Sequence, residues 1–217
     1  MSLSLGIHTA GPFCGVALLK DDALLAFREE KMRRGHDQFL PGLVQSVLDE
    51  TGIAMGAIDR FSVCVGPGSF TGIRIGVAFA RGLALANGKR AFGITSLEAL
   101  VSKPQDGPVL ALIPAKLRPP DQTFWAQRIQ GTERSEPFEL SANDLTEYVS
   151  AGISVVCTPD AVDTIRNFLP DQPLDVCEIT ASGVPRWAKL IHADDIRAPS
   201  PLYVRDPDAI PAKSPLL

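Results

Sequence analysis

The chain has 217 residues, of which 45% are hydrophobic and 21% are charged, and its formal net charge at pH 7 is −4. This composition excludes a disordered chain, and the length suffices for one large or two small folded units without disulfide or metal support. The excess of acidic over basic residues argues against a protein that binds nucleic acid through a broad basic surface. The start of the sequence has no basic segment followed by an apolar run, so we expect a cytoplasmic protein.

Strand-like and helix-like patterns alternate along the first half of the chain. Apolar residues at every second position predict strands, and apolar residues three or four positions apart predict helices. The elements predicted in this half are strands at 3–7, 14–20 and 24–31, a helix between Asp37 and Gly52, a strand at 61–65, a helix at 70–86, a strand at 91–94 and a helix at 96–103. Asp37 is placed to cap the first of these helices.

The second half repeats this order of elements after a stretch rich in breakers at 103–108. Its predicted elements are strands at 109–113 and 123–129, a helix at 142–149, a strand at 153–157, a helix at 160–168, a strand at 174–179 and a helix at 184–193. The repetition and the breakers predict two lobes, 1–103 and 104–217, each with a mostly parallel, helix-covered sheet. The five prolines in 199–217 predict an extended strap and tail.

A glycine-rich loop, Gly66-Pro-Gly-Ser-Phe-Thr-Gly72, leads into the second long helix. It lacks the lysine of a phosphate-binding loop, and Ser69 lacks the flanking glycines of a nucleophile elbow. A tight turn capped by Ser69 and a contact with an anion or a partner both remain open. The three histidines and the four cysteines show no metal-binding spacing, so we expect no catalytic residue, cofactor or metal site.

Both long helices carry more small or apolar surface than one contact with a sheet requires. In the second helix Gly72, Gly76 and Ala80 recur every four residues and form a stripe that another helix can approach closely. These features predict a helical protein–protein interface, with packing inside the chain as the alternative. The longest apolar stretch, 73–86, contains two arginines and is too short to span a bilayer, so no membrane contact is expected.

Several segments together resemble the TsaB family, also called YeaZ. They are Val65 to Gly76, Ala80 to Ala84, Gly93 to Ala99, His36 with Leu40-Pro41, and the closing run Pro201 to Ala209. The sequence departs from the family pattern at His8, where most members have an aspartate, and at Pro114-Ala115-Lys116, which replaces Asp-Ala-Arg. An imidazole is a poor ligand for a hard cation, so independent ATP hydrolysis is doubtful.

The resemblance implies an α/β protein with a two-lobed actin-like fold, shared with sugar kinases and Hsp70, in which ribonuclease H-like lobes are duplicated. It also implies a non-catalytic subunit needed for threonylcarbamoyl transfer to the adenosine beside the anticodon of tRNA. Such a subunit binds TsaD, works with the ATPase TsaE, pairs with itself through the same surface when alone, and meets tRNA only indirectly. The alternative is an ATP-dependent kinase or a protease-like hydrolase of the actin-like superfamily.

The expected partner-binding residues lie on the two long helices and on the loop before the second. They are His36, Phe39, Leu40, Leu43, Val47, Ser69, Phe70, Gly72, Ile73, Arg74, Gly76, Val77, Ala80 and Arg81. We expect Phe39, Leu43, Val47, Gly72, Gly76 and Ala80 to form the centre of the contact. A bulky residue at position 76 is then expected to abolish the complex and leave the isolated chain folded.

Overall fold

The first half of the chain forms a five-stranded sheet. A computed structural model describes residues 1–32, 34–102, 105–149, 152–191 and 197–204. The strands of this sheet are β1 (Leu3–His8), β2 (Phe13–Lys20), β3 (Ala23–Lys31), β4 (Arg60–Gly66) and β5 (Ala91–Thr95). They lie in the order β3-β2-β1-β4-β5. β2 is antiparallel to β1 and β3, whereas β4 is parallel to β1 and β5.

The second half forms a sheet with the same topology. Its strands are β6 (Val109–Lys116), β7 (Thr123–Gln130), β8 (Glu133–Arg134), β9 (Phe138–Ser141), β10 (Ser154–Cys157) and β11 (Leu174–Val176). Their order is β11-β10-β6-β7-β8, and β9 also pairs with β7. In both sheets the first strand is central, the second is antiparallel to it, and two later strands add in parallel on the other side. This duplication confirms the two-lobed actin-like fold.

Four helices pack against strands of the first sheet: α1 (His36–Thr51), α2 (Phe70–Ala86), α3 (Ser96–Val101) and α6 (Gly183–Leu190). The other two, α4 (Leu145–Tyr148) and α5 (Val162–Phe168), pack in the core of the second half. α1 and α2 contact each other and the sheet, while α6 packs on β1 and β4 and also contacts α3. A side chain at Gly6 would overlap Pro185 of α6, with only 2.2 Å between its Cβ and the proline Cδ. The absence of a side chain at Gly6 therefore allows α6 to pack closely on β1.

Some sequence-based expectations about these elements are wrong. The opening strands of each sheet are antiparallel, because short turns such as Asp21-Asp22 connect them directly, so the sheets are mixed. Asp37 does not cap α1, whose first turn follows Gly35 in a left-handed conformation. The strand predicted at 174–179 ends at Val176. The predicted junction at 103–104 and the tail beyond residue 204 lie outside the described residues.

A buried polar network joins the two sheets. Thr95 and Glu98 form a capping box at the start of α3, in which each side chain bonds to the other residue's backbone N–H. The Thr95 hydroxyl donates to Gln127 Oε1 on β7 at 2.7 Å, and the Glu98 carboxylate pairs with Arg134 on β8. The end of β5 and the start of α3 are thereby bonded to the second sheet at two points. None of the described helices is both long enough and apolar enough to cross a membrane.

Candidate partner-binding surface

The glycine-rich loop packs against the end of β1 within the same chain. Ser69 N–H donates to Ala10 O at 2.6 Å, and the Thr9 hydroxyl donates to Gly72 O at 2.8 Å. A Cβ at Gly68 would lie 2.2 Å from Ala10 O, and one at Gly72 would lie 2.0 Å from Thr9 O. Ser69 caps α2 as predicted, because its Oγ accepts from Gly72 N–H. Gly68 and Gly72 therefore allow the glycine-rich loop to lie close to the backbone of Thr9 and Ala10.

The small-residue stripe of α2 faces inward, as the alternative of packing inside the chain predicts. A Cβ at Gly76 would lie 2.2 Å from Thr9 Oγ1 and 3.4 Å from Val63 Cγ2, and Ala80 is fully buried. The residue that comes closest to this stripe is Thr9, which directly follows β1 in the same chain. Several other expected partner residues are buried in the same core: His36, Leu40, Val47, Ile73 and Val77. Their side chains lie in the core and are not exposed on the surface of the isolated chain.

The outer sides of α1 and α2 have a different composition. Phe39 is 53% exposed on α1 and Phe70 is 46% exposed on α2, although both side chains are large and apolar. Ala78 and Gly82 are exposed on α2, and nothing lies within 4 Å of a Cβ built at Gly82. Exposed aromatic rings beside small residues permit close approach of another helix. We call the exposed residues of these two helices the outer surface; it includes Phe39, Phe70, Thr71, Arg74, Ala78, Arg81, Gly82 and Leu85.

A cluster of three side chains lies at the start of α2. The Arg74 guanidinium lies over the Phe70 ring, 3.6 Å from its centroid, and Arg74 Nε donates to the Tyr203 hydroxyl at 2.9 Å. The Phe70 and Tyr203 ring centroids are 5.3 Å apart. All three side chains are exposed, so the cluster adds a cation to an otherwise apolar part of the outer surface.

The C-terminal strap brings Tyr203 to this position. Leu202 N–H donates to Val65 O at 2.9 Å, and Gly93 N–H donates to Arg197 O at 2.8 Å. Gly93 has no room for a side chain, since its Cβ would lie 2.6 Å from Ala198 O. The glycine-rich segment and the closing segment, which together suggested the family, are therefore in direct contact.

The cleft between the sheets is poorly suited to a polyphosphate. It encloses about 290 Å³ and is bordered by the loops after β1 and β4. Its charged lining consists of one cation, Lys31, and two carboxylates, Asp160 and Glu178. The Ser69 and Gly72 N–H groups, which might otherwise bind phosphate at the start of a helix, are bonded within the chain. In the described part of the chain, no group of three or more His, Cys, Asp or Glu side chains can hold a metal ion.

His8 is fully buried at the end of β1, and neither ring nitrogen has a hydrogen-bond partner in the structure. Burial, with a smaller contribution from the nearby charge of His36, lowers the pKa of His8 to about 4. At this position the chain therefore offers an imidazole, and no carboxylate oxygen of the kind that a hard cation prefers.

We expect His8 to make the protein sensitive to acid. Its folded-state pKa lies below the ordinary value of 6.5, so the unfolded chain binds the proton more strongly and stability falls as pH decreases from 6.5 towards 4. Between pH 7 and pH 4.5 the loss from this group is about 2 kcal/mol. Urea unfolding of the wild type and of His8→Asn at both pH values measures it.

Glu29 titrates in the opposite sense, because burial raises its pKa to about 7. Since Glu29 and His36 are present in both proteins, their contributions cancel when the two pH dependences are subtracted. Equal losses of stability in the wild type and in His8→Asn would contradict the assignment of the acid sensitivity to His8.

Comparisons with known proteins agree with the fold and with the segments described above. A family model described as "TsaD: tRNA N6-adenosine threonylcarbamoyltransferase" matches residues 29–118. The chain is 35% identical over 127 residues to an Escherichia coli protein named tRNA threonylcarbamoyladenosine biosynthesis protein TsaB, an alignment that covers 57% of this chain and 53% of that protein. The chain therefore aligns with about half the length of that relative.

Two further matches extend over nearly all of the chain. A Haemophilus influenzae protein of the same name is 27% identical over 205 residues, covering 92% of this chain and 82% of that one. The solved structure of YeaZ from Pseudomonas aeruginosa superposes with a TM-score of 0.69 at 24% identity, covering 94% of this chain and 100% of that one. The chain is similar in sequence and in fold to proteins of the TsaB (YeaZ) family. This similarity agrees with the contact between the glycine-rich segment and the C-terminal strap.

Sequence reasoning missed Ala78 and Gly82 as residues of the outer surface, and Tyr203 as the residue of the strap that lies beside it. For α2 a signal was present: Phe70, Arg74, Ala78 and Arg81 fall on one side of a helix, opposite Gly72, Gly76 and Ala80. Tyr203 had no such signal, because its contact with Arg74 joins residues 129 positions apart.

Proposed function

We propose that this chain is a non-catalytic subunit required for threonylcarbamoyl transfer to the adenosine beside the anticodon of tRNA. Two of its relatives are named as biosynthesis proteins of this modified nucleoside. In this proposal the chain binds a TsaD-type transferase, supports assembly with the ATPase TsaE, and meets tRNA only through those partners. It contributes no reacting group. The N-terminal lobe, 1–103, carries the partner surface, and the lobe at 104–217 supports it.

One observation carries the proposal: the outer surface lies within the region that matches the transferase family. Residues 29–118 include both α1 and α2. Two chains with similar helix pairs can associate about an approximate two-fold axis, in the same way that a symmetric homodimer does. The same outer surface therefore suits the transferase and, in its absence, a second copy of this chain.

The cleft supports a role without independent nucleotide chemistry. Its lining has two carboxylates against one lysine, and the Ser69 and Gly72 N–H groups are already bonded within the chain. Calorimetry of the purified chain with Mg-ATP tests the kinase alternative. A tight and saturable heat of binding, with turnover of ATP by this chain alone, would overturn the non-catalytic role.

Reconstitution tests the proposal as a whole. The chain is mixed with the transferase and the ATPase of the same organism, an activated threonylcarbamoyl donor, ATP and unmodified tRNA, and each protein is omitted in turn. We expect modified tRNA to be lost when this chain is omitted and restored when it is added back. Full modification in its absence would refute the proposed requirement.

A substitution on the outer surface tests the location of the contact. Ala78 is exposed near the middle of the outer side of α2, so Ala78→Trp is accommodated in the isolated chain but prevents close approach of another helix. We expect the affinity for the transferase to fall at least about tenfold, which corresponds to about 1.4 kcal/mol of binding free energy. Isothermal titration calorimetry measures the change.

The matched control is Asn167→Trp, which places the same side chain at an exposed position of α5 on the second lobe. Its affinity for the transferase should equal that of the wild type, and both variants should keep the wild-type melting temperature. Unchanged affinity in Ala78→Trp would place the contact elsewhere on the chain.

A further inference from the structure

Arg74 is held in place from two directions. One face of its guanidinium lies 3.6 Å from the Phe70 centroid, and its Nε donates to the Tyr203 hydroxyl at 2.9 Å. The planar guanidinium loses little further conformational freedom when it binds a ligand, because these two contacts already fix its plane. We call Phe70, Arg74 and Tyr203 the arginine clamp.

The clamp leaves the terminal nitrogens of Arg74 available. In the part of the chain that the structure describes, no carboxylate pairs with Arg74, and its contacts are those with Phe70 and Tyr203. With Nε bonded to the phenol, the end of the guanidinium formed by Nη1 and Nη2 remains. Two parallel N–H groups of this kind match the two oxygens of a carboxylate. A fixed guanidinium that has no carboxylate partner among the described residues, and that lies on an exposed surface, suits an oxyanion.

The surroundings favour a carboxylate on a protein. Phe70 and Tyr203 are 46% and 43% exposed, so the clamp itself offers apolar area that a protein partner would cover. Binding of RNA needs several phosphate contacts at once, and the chain as a whole carries a net charge of −4. The Phe70 ring already stacks on Arg74 and contacts Tyr203, which limits its use as a platform for a base.

We propose that the arginine clamp binds the carboxylate of an aspartate or glutamate side chain on the transferase subunit. The inference rests on the proposed function and makes the C-terminal strap part of the interface, because Tyr203 fixes the orientation of Arg74. Tyr203 is a positioning residue in this arrangement. It holds the guanidinium through its hydroxyl and extends the apolar rim through its ring.

Two substitutions separate these contributions. Arg74→Lys keeps the positive charge but cannot form the paired N–H contact, and we expect about a tenfold loss of affinity for the transferase. Tyr203→Phe keeps the ring and removes the hydroxyl that fixes Nε, and we expect about a threefold loss. Isothermal titration calorimetry with the purified transferase of the same organism measures both, at low and at high salt. The loss in Arg74→Lys should be larger at low salt, where the ion pair is less screened.

The control is Arg128→Lys, which alters another exposed arginine that lies over a tyrosine, 5.0 Å from the Tyr148 centroid in the second lobe. Its affinity should stay within about twofold of the wild type. Wild-type affinity in Arg74→Lys, or an equal loss in Arg128→Lys, would overturn the clamp while leaving the proposed function intact. A loss of affinity for tRNA rather than for the transferase would identify a phosphate as the ligand and also overturn it. Absence of binding by the wild-type chain would refute the proposed function itself, and the clamp's assigned ligand with it.

Discussion

Gly76→Leu is expected to destabilise the folded chain by at least about 3 kcal/mol, because the new side chain has no space. Its Cβ alone would lie 2.2 Å from Thr9 Oγ1. Thr9 is fully buried and its hydroxyl donates to Gly72 O, so it cannot move away without breaking that bond. The gain in helix propensity when glycine is replaced, below about 1 kcal/mol, does not offset this overlap.

Gly82→Leu is the matched control, since it makes the same substitution in the same helix. Nothing lies within 4 Å of a Cβ at Gly82, so the melting temperature should stay the same or rise. For a chain of this size the predicted loss in Gly76→Leu lowers the melting temperature by roughly 6 to 12 °C. If Gly76→Leu cannot be purified folded, Gly76→Ala provides the measurement, with a smaller decrease. Wild-type melting temperatures in these Gly76 variants would show that the stripe is not packed on β1.

This result would replace the expectation that a bulky residue at position 76 leaves the chain folded and abolishes the complex. Any loss of partner binding in such a variant would be a consequence of damage to the fold. The test of the interface therefore moves to the opposite side of α2, to Ala78.

The sequence predicts the strongly patterned elements well and the short ones poorly. α2 begins at Phe70 and ends at Ala86 as predicted, because Ser69 caps its start and the pattern persists over more than four turns. The two-residue strand β8 and the four-residue strand β9 were missed. Segments this short carry too few residues for a period of two to be recognised, and their pairing with β7 depends on tertiary contacts.

The orientation of the two helices was the harder problem. Periodicity identifies which residues share one side of a helix, but it does not say which side faces the sheet when both sides are apolar or small. Gly72, Gly76 and Ala80 were compatible with a partner helix and with the chain's own strand. The deciding contact is with Thr9, more than sixty positions earlier in the chain, whose hydroxyl bonds to Gly72. Such a close approach between distant segments has no local sequence signal.

Glu98→Gln should destabilise the chain by about 2 kcal/mol, because one of the two donors that the buried carboxylate satisfies loses its acceptor. The Glu98 side chain is 2% exposed and that of Arg134 is 16% exposed. One carboxylate oxygen accepts from Thr95 N–H at 2.6 Å, and the other pairs with Arg134. Glutamine has one carbonyl oxygen and one amide nitrogen, so it can accept from only one of these two donors. Urea unfolding at neutral pH measures the change.

Glu136→Gln is the corresponding control at the surface. It alters another glutamate paired with an arginine, Arg197, but its side chain is 75% exposed and water replaces the lost contact. We expect this change to cost less than about 1 kcal/mol. Similar losses in the two variants would mean that the buried network does not determine how firmly the sheets are joined. A large difference would show that the bonds made by Thr95 and Glu98 at the start of α3 hold the two lobes together.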